Sequence, residues 1–268
     1  MSTIAISPAQ AAPNMTPEYE VKLLLEPTAV LDPDNEPTSI VLSTFAMAPG
    51  ATEQNIQFLD TSGKEIYTAG WSTRIRKTEN EDDFELTYKK RYAITGGDID
   101  AALATANDEG FDADDVKYEA QIEWGYQKQT LSISRKKKAP DSENSGMDLP
   151  GTKESRAMLI EEAPDKFDNW LSSNWGTGAL ATSRIFGPVL AKRWIGTWSG
   201  MRLYIEVWRI LKRAGKEFEY IVEASFKTES RITASTEHDN FITYLQSNGW
   251  FLAQDLLKTQ LIMERYNA

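Results

Sequence analysis

Glu18-Tyr19-Glu20-Val21-Lys22, running into Leu23, Leu24 and Leu25, alternates residue by residue between charged and apolar side chains. In a strand, successive side chains point to opposite faces, so Glu18, Glu20 and Lys22 share one side and Tyr19, Val21 and Leu23 the other. Two carboxylates about 7 Å apart along one strand face can hold a hard divalent cation, and a lysine one step further can hold an anion that the cation also touches. A half-exposed strand with a solvated charged face gives the same five residues. The reading therefore depends on how many later strands carry the same kind of face.

Several do. Asn55–Asp60 alternates and ends in the turn Thr61–Lys64. Trp71–Lys77 places Ser72, Arg74 and Arg76 opposite Trp71, Thr73 and Ile75, and beyond the acidic turn Glu79–Asp83, Phe84–Arg91 places Glu85, Thr87, Lys89 and Arg91 opposite Phe84, Leu86, Tyr88 and Lys90. Arg74 and Arg76 facing Lys89 across this hairpin make a cluster of like charges that repels unless an anion lies between them, and arginine suits multidentate phosphate contacts. Lys117–Gly125 sets Lys117, Glu119, Gln121 and Glu123 on one face; Gln129–Arg135 is one more strand, ending in the basic run Arg135–Lys138, read as a solvated strand end. The stretch Ala139–Gly146 reads as a flexible connection. Ala191–Trp198 carries Arg193 with Ile195 and Thr197, Met201–Leu211 carries Arg202, Tyr204, Glu206 and Trp208, and Glu217–Glu229, after the turn Lys212–Lys216, carries Glu219, Ile221, Glu223, Ser225 and Lys227.

Between these strands the spacing predicts helices at Asp98–Asn107 with Asp98 as cap, at Lys153–Asn174 with a break at Pro164, at Gly178–Phe186, and at Glu237–Tyr266 in two pieces parted at Asn248-Gly249. Ser39–Ala46 fits a strand or a short helix. Met1–Thr16, rich in Ala, Pro, Ser and Thr, reads as a disordered leader, with one domain over 17–268. The net charge of −11 argues against a general nucleic-acid or anionic-membrane binder, while a local basic cavity remains compatible with it. With no cysteine and a single histidine, His238, read in the solvated first turn of a helix, thiolate and histidine-pair chemistry are absent. No apolar run is long enough to span a membrane and no targeting segment is visible, which leaves the cytosol as the default expectation.

Strands with one apolar and one charged face fit a flat sheet with a solvated side. They equally fit a closed antiparallel barrel with apolar residues turned outward under helices and charges turned into a tunnel. Glu18-x-Glu20-x-Lys22 resembles the ExExK signature of the triphosphate tunnel metalloenzymes, or CYTH proteins. Arg74-x-Arg76, Lys89 in Leu-Thr-Tyr-Lys, Glu119 to Glu123, Arg193, Glu206 and Glu223 follow in that family's order. The resemblance implies an α+β fold with a closed eight-stranded antiparallel tunnel, helices outside, a bound Mg2+ or Mn2+, and a small substrate carrying a triphosphate or diphosphate. It implies metal ligation by Glu18, Glu20 and Glu223, phosphate contacts from Lys22, Arg74, Arg76, Lys89, Arg193 and, more weakly, Lys227, and an acidic wall of Glu119, Glu123 and Glu206 that holds a second metal or orients water. Where the family commonly has a second acid two residues after Glu223, this chain has Ser225, a poorer ligand for a hard cation.

The expected activity is metal-assisted hydrolysis of inorganic triphosphate, thiamine triphosphate or a nucleotide. Cyclisation or another elimination of diphosphate on the same scaffold is the first alternative, and a non-catalytic polyphosphate-binding module the second. A plain sheet interaction protein requires the motif order to be coincidence. Tyr204 and Trp208 could form an aromatic wall in a tunnel, but they read more simply as core.

Overall fold

The computed structural model describes residues 12–140, 146–213 and 217–266. Ten strands form one sheet: β1 (Glu18–Leu25), β2 (Thr52–Asp60), β3 (Trp71–Thr78), β4 (Asp83–Ala93), β5 (Glu119–Trp124), β6 (Gln129–Pro140), β7 (Arg184–Trp198), β8 (Met201–Leu211), β9 (Phe218–Thr228) and the short β10 (Phe251–Leu252). Nine of them close a barrel in the order β1-β5-β6-β4-β3-β2-β7-β8-β9, with β9 returning to β1, while β10 adds to the end of β1 at Leu24 and Leu25. The expected barrel is therefore present, with nine strands rather than eight.

Its strands are also not all antiparallel. An odd number of strands cannot alternate direction around a closed ring, so one neighbouring pair has to run parallel. That pair is β1–β5, with Glu18 opposite Gln121 and Glu20 opposite Glu123.

Alternation decides which face turns inward. Tyr19, Val21 and Leu23 of β1 are buried while Glu18, Glu20 and Lys22 keep partial access, and β4 buries Phe84, Leu86 and Tyr88 while Glu85, Lys89 and Arg91 keep theirs. The apolar face points outward, because that is where the helices lie. Helix α1 (Pro27–Val30) and helix α2 (Ser39–Thr44) follow β1, with Thr38 accepting from Val41 N at 3.4 Å to start α2, so the ambiguous 39–46 stretch is helical. Helix α3 (Glu65–Thr68) links β2 to β3, and α4 (Ile99–Asp108) starts at its Asp98 cap. Helices α5 (Thr152–Glu161) and α6 (Asp165–Asp168) part at Pro164, and α7 (Trp175–Ala181), α8 (Arg231–Ser247) and α9 (Lys258–Arg265) complete the set among the described residues. None of them is long and apolar enough to cross a membrane.

Two aromatic clusters hold these helices to the barrel. Phe45, Trp198, Phe241 and Trp250 meet edge to face or tilted under α8, with centroids 4.6–6.4 Å apart, and Trp71 packs against Phe111, Phe167 and Trp170 at 5.3–6.1 Å under α6. Such pairs add about 0.5–1.5 kcal/mol each beyond the area they bury. Gly196 serves the first cluster: a Cβ there would stand 2.2 Å from the Phe45 carbonyl oxygen, which accepts from Thr197 N at 2.8 Å.

Several expectations change. The helix expected over Gly178–Phe186 ends at Ala181, because pairing with β2 takes Arg184, Ile185 and Phe186 into β7. Helix α8 starts earlier than expected, at Arg231 under a Ser230 cap, so His238 lies two turns in rather than at a solvated start. It is buried, with Nε2 2.8 Å from Gly125 O, outside the tunnel. Of the expected leader, 1–11 lie outside the described residues, while Met15 joins the core and Asn14 bridges to Asp112. Residues 141–145 of the expected flexible connection and 214–216 of the expected turn also lie outside them.

Candidate functional site

The inward faces enclose a cavity of about 350 Å3 to which all nine barrel strands contribute side chains. Glu18, Glu20, Lys22, Arg74, Arg76, Lys89, Glu119, Glu123, Arg193, Glu206, Glu223 and Lys227 all line it, so every residue singled out from the sequence comes to one place. Toward one end the same faces turn apolar, at Leu24, Phe58, Trp208, Ile210 and Ile221. There Ile262 and Met263 of α9 join them in a separate buried cluster. The segment Leu256–Thr259 lies along the cavity wall at this end.

Inside, nearly every carboxylate is matched to a cation. Glu123 accepts from Lys22 at 2.6 Å and from Lys89 at 2.9 Å, with Arg91 3.9 Å away. Burial alone would raise its pKa, but these three cations hold the carboxyl well below the usual range. Glu206 accepts from Arg193 Nε at 2.8 Å, from the Trp208 indole at 2.8 Å and from Lys258 at 3.1 Å. It too is held down, against burial, by Lys258 and Arg193. Glu223 accepts from Lys258 at 2.7 Å. At the rim, Glu18 pairs with Lys227 at 2.6 Å and accepts from the Gln121 amide, while the exposed Glu119 pairs with Lys136 at 2.5 Å.

The arginine pair does have its anion, and the chain supplies it. Arg74 and Arg76 donate to Glu85 at 2.7 and 2.8 Å, and Thr87 adds a contact to Arg74. Burial opposes ionisation of Glu85, yet the two guanidinium groups bring its pKa down to about 2. Arg76 is itself lowered to about 10 by burial and by the neighbouring Arg74. Lys89 falls to about 8, through burial first and Arg91 second, with Glu123 pulling the other way.

Glu20 is the exception. Among the described residues it forms no hydrogen bond or ion pair, and its pKa is raised by burial and by the charges of Glu123 and Glu223, against the pull of Lys22 and Lys89. A carboxylate desolvated beside two others, with no cation in contact, is the cavity's best-placed acceptor for a proton or a positive ion.

This arrangement bears on the expected metal. Glu18, Glu20 and Glu223 do not converge, and no group of three acids or histidines among the described residues is placed to hold a cation. A magnesium-like ion, however, is commonly bound by one or two carboxylates plus the phosphates it accompanies, rather than by an all-protein cage. Glu20 fits that role, while Lys227 and Lys258 occupy Glu18 and Glu223. Ser225, opposite Lys22 and Tyr204, adds no charge.

Sequence reasoning passed over Glu85, Arg91, Lys136 and Lys258 as site residues. Glu85 and Arg91 stand on the same alternating face as Lys89 and were open to the same logic; Lys136 belongs to the basic run read as solvated. Lys258 carries no periodic signal, since it enters from a helix. Tyr204 and Trp208, read as core, line the cavity because they share the inward face of β8 with Glu206, although Trp208 is only 5% exposed. The Arg193 guanidinium lies 5.0 Å from the Tyr204 ring centroid.

No family model and no curated protein matches this chain. Solved structures do. A candidate adenylyl cyclase from Hippeastrum, described as having a dominant triphosphatase activity, superposes with a TM-score of 0.53 at 13% identity, covering 91% of this chain and 93% of that one. A candidate adenylate cyclase from Bacillus halodurans gives 0.52 at 12% identity over 94% and 98%. The chain has the fold of these CYTH-type proteins, in agreement with the resemblance of its motifs.

Proposed function

We propose that the tunnel binds a small molecule bearing a triphosphate and hydrolyses its phosphoanhydride. The observation that carries this reading is the convergence of Lys22, Arg74, Arg76, Lys89, Arg91 and Arg193 on one cavity, each already paired with or close to a carboxylate of the chain. Those carboxylates keep the cations oriented and offset their repulsion when no anion is present. An incoming triphosphate competes for the same donors. Arg74, Arg76 and Arg193 offer planar forks suited to phosphate oxygens, and Lys22 and Lys89 add point charges. Fixed positive charge around the transferring group stabilises the negative charge that shifts to the leaving phosphate. Glu20, the one cavity carboxylate with no cation in contact among the described residues, orients the attacking water and takes its proton. Mg2+ or Mn2+, when bound at Glu20 with the triphosphate, supplies further neutralisation of the phosphate oxygens.

A second reading, elimination of diphosphate from a nucleoside triphosphate by cyclisation, draws on Tyr204, whose ring lines the cavity beside Arg193 and gives a flat base a surface to lie on. The Bacillus halodurans structure is named for a cyclase, whereas the Hippeastrum protein, also named for one, is described as having a dominant triphosphatase activity, which favours the first reading.

The test is phosphate release from tripolyphosphate, ATP, thiamine triphosphate and a diphosphate ester, each with Mg2+, with Mn2+ and with chelator. Release from one triphosphate that is lost with chelator supports hydrolysis and names the substrate. A cyclic nucleotide with diphosphate, and no free phosphate, supports the second reading. Absence of any turnover by the folded protein removes both.

A further inference from the structure

Among the described residues, Lys258 is the one cation of the cavity that no strand supplies; it opens α9. Its ammonium stands 2.7 Å from Glu223 and 3.1 Å from Glu206, and 4.4 Å from the Trp208 ring centroid. Glu206 and Glu223 are direct partners across β8 and β9, and both are under 9% exposed. Two buried carboxylates side by side either share a proton or are matched by cations. Here Arg193 pairs with Glu206 from β7, and Lys258 is the one cation in contact with both, among the described residues. Without Lys258 the strands leave Glu206 with Arg193 and Glu223 with no contact cation among the described residues, a place open to a positive ion.

Helix α9 does not depend on Lys258 for its seat. Ile262 and Met263 are buried in the apolar end of the barrel, and Arg265 donates to Leu211 O at 2.9 Å and to Glu219 at 2.6 Å. A buried ion pair is weak support for stability, since an apolar side chain of similar size commonly serves as well. The pairing of Lys258 thus points to the site rather than to the helix.

We propose that Lys258 is the tunnel's resident cation: its ammonium takes the place between Glu206 and Glu223 that a second divalent ion would fill, so a bound triphosphate brings one such ion, on the Glu20 side. The part concerning triphosphate rests on the proposed function, whereas the cation assignment concerns the ligand-free protein. Ser225, where an acid would have given a further donor, is consistent with a wall that does not collect a second metal.

The experiment is a titration of the ligand-free chain with Mn2+ alone, counting bound ions by the loss of the free-ion paramagnetic signal. Lys258→Met, which removes the charge and keeps an unbranched side chain of similar length, is expected to bind one Mn2+ per chain more than the wild type, and Lys258→Arg the same number as the wild type. Glu223→Gln in the otherwise native chain is expected to leave the count unchanged. A folded Lys258→Met with the wild-type count overturns the assignment. So does a Mn2+ of the native chain that Glu223→Gln removes, which keeps the test decisive if the Met variant does not fold. A count that follows expectation in a chain that does not bind tripolyphosphate overturns the proposed function and leaves the cation assignment standing.

Discussion

Lys22 and Glu123 meet at 2.6 Å across the parallel seam between β1 and β5, and so tie the first charged face of the chain to the barrel's parallel pair. Glu123 is 4% exposed and also takes Lys89. Removing one partner of a buried pair commonly costs about 3–5 kcal/mol. The cations here keep 18–21% exposure, so water reaches them and the lower end applies. Glu123→Ala is expected to lower stability by about 3 kcal/mol in urea denaturation. A loss under about 1 kcal/mol contradicts a structural role for the seam.

The depressed carboxyls also set the acid behaviour. A group whose folded pKa lies below its unfolded value adds stability that is full above the unfolded value and is lost as pH falls through the folded one. For Glu85, held at about 2, and for Glu123, held well below the usual range, that loss begins below the ordinary carboxylate range and, for Glu85, runs to about pH 2. Denaturation midpoints measured from pH 6 to pH 2 are expected to fall steadily in the wild type and less steeply in Glu85→Gln.

Glu20 has the opposite sign. Its raised pKa means that its contribution to stability is fully present below the ordinary carboxylate value and is lost as pH rises through the folded one. Ionised Glu20 therefore costs stability at neutral pH. Glu20→Gln is expected to raise the melting temperature at pH 7, with the gain vanishing at pH 4 and below, while turnover drops by about 100-fold or more, the usual scale for a lost general base. Equal melting curves at pH 7 would count against a desolvated carboxylate at this position.

Arg76 is expected to act on substrate rather than on the fold. Glu85 keeps Arg74 as a partner when Arg76 is removed, so no buried charge is left alone. A charge-assisted hydrogen bond is worth about 1.5–3 kcal/mol, and Arg76→Ala is accordingly expected to lower kcat/KM about 10- to 100-fold. A variant with unchanged kcat/KM would place the phosphate chain elsewhere.

Glu119 gives the contrasting case. It is 66% exposed and paired only with the half-exposed Lys136, a kind of contact worth about 0–1 kcal/mol. Glu119→Ala is expected to change stability by less than about 0.5 kcal/mol and turnover far less than Glu20→Gln does. Steady-state kinetics of the two variants side by side check this.

Much of this architecture was legible because β-alternation writes the inside and the outside of a barrel into every second residue. Arg74, Arg76, Lys89, Glu206 and Glu223 were placed on the correct faces by that rule alone. Counting the alternating stretches also gives nine strands, whereas the resemblance implied eight; the parallel seam follows from the odd number. Alternation puts Glu85 on the inward face and the hairpin makes its strand the neighbour of Arg74 and Arg76. What neither encodes is the register, which sets Glu85 opposite Arg76 and Thr87 opposite Arg74, while Lys89 falls opposite Ser72. Lys258 left no trace because a helix end entering a tunnel has no period in common with the strands it meets. His238 was misplaced because the Ser230 cap, a single hydroxyl, moved the start of α8 forward.

The most direct measurement is a calorimetric titration of tripolyphosphate into the wild type and Arg76→Ala, at low and at high salt. A tunnel that gathers these cations for a phosphate chain predicts one site per chain in the wild type, weakened about 10-fold or more by Arg76→Ala and weakened again by salt. No binding to the folded wild type, or binding that Arg76→Ala leaves untouched, would contradict it.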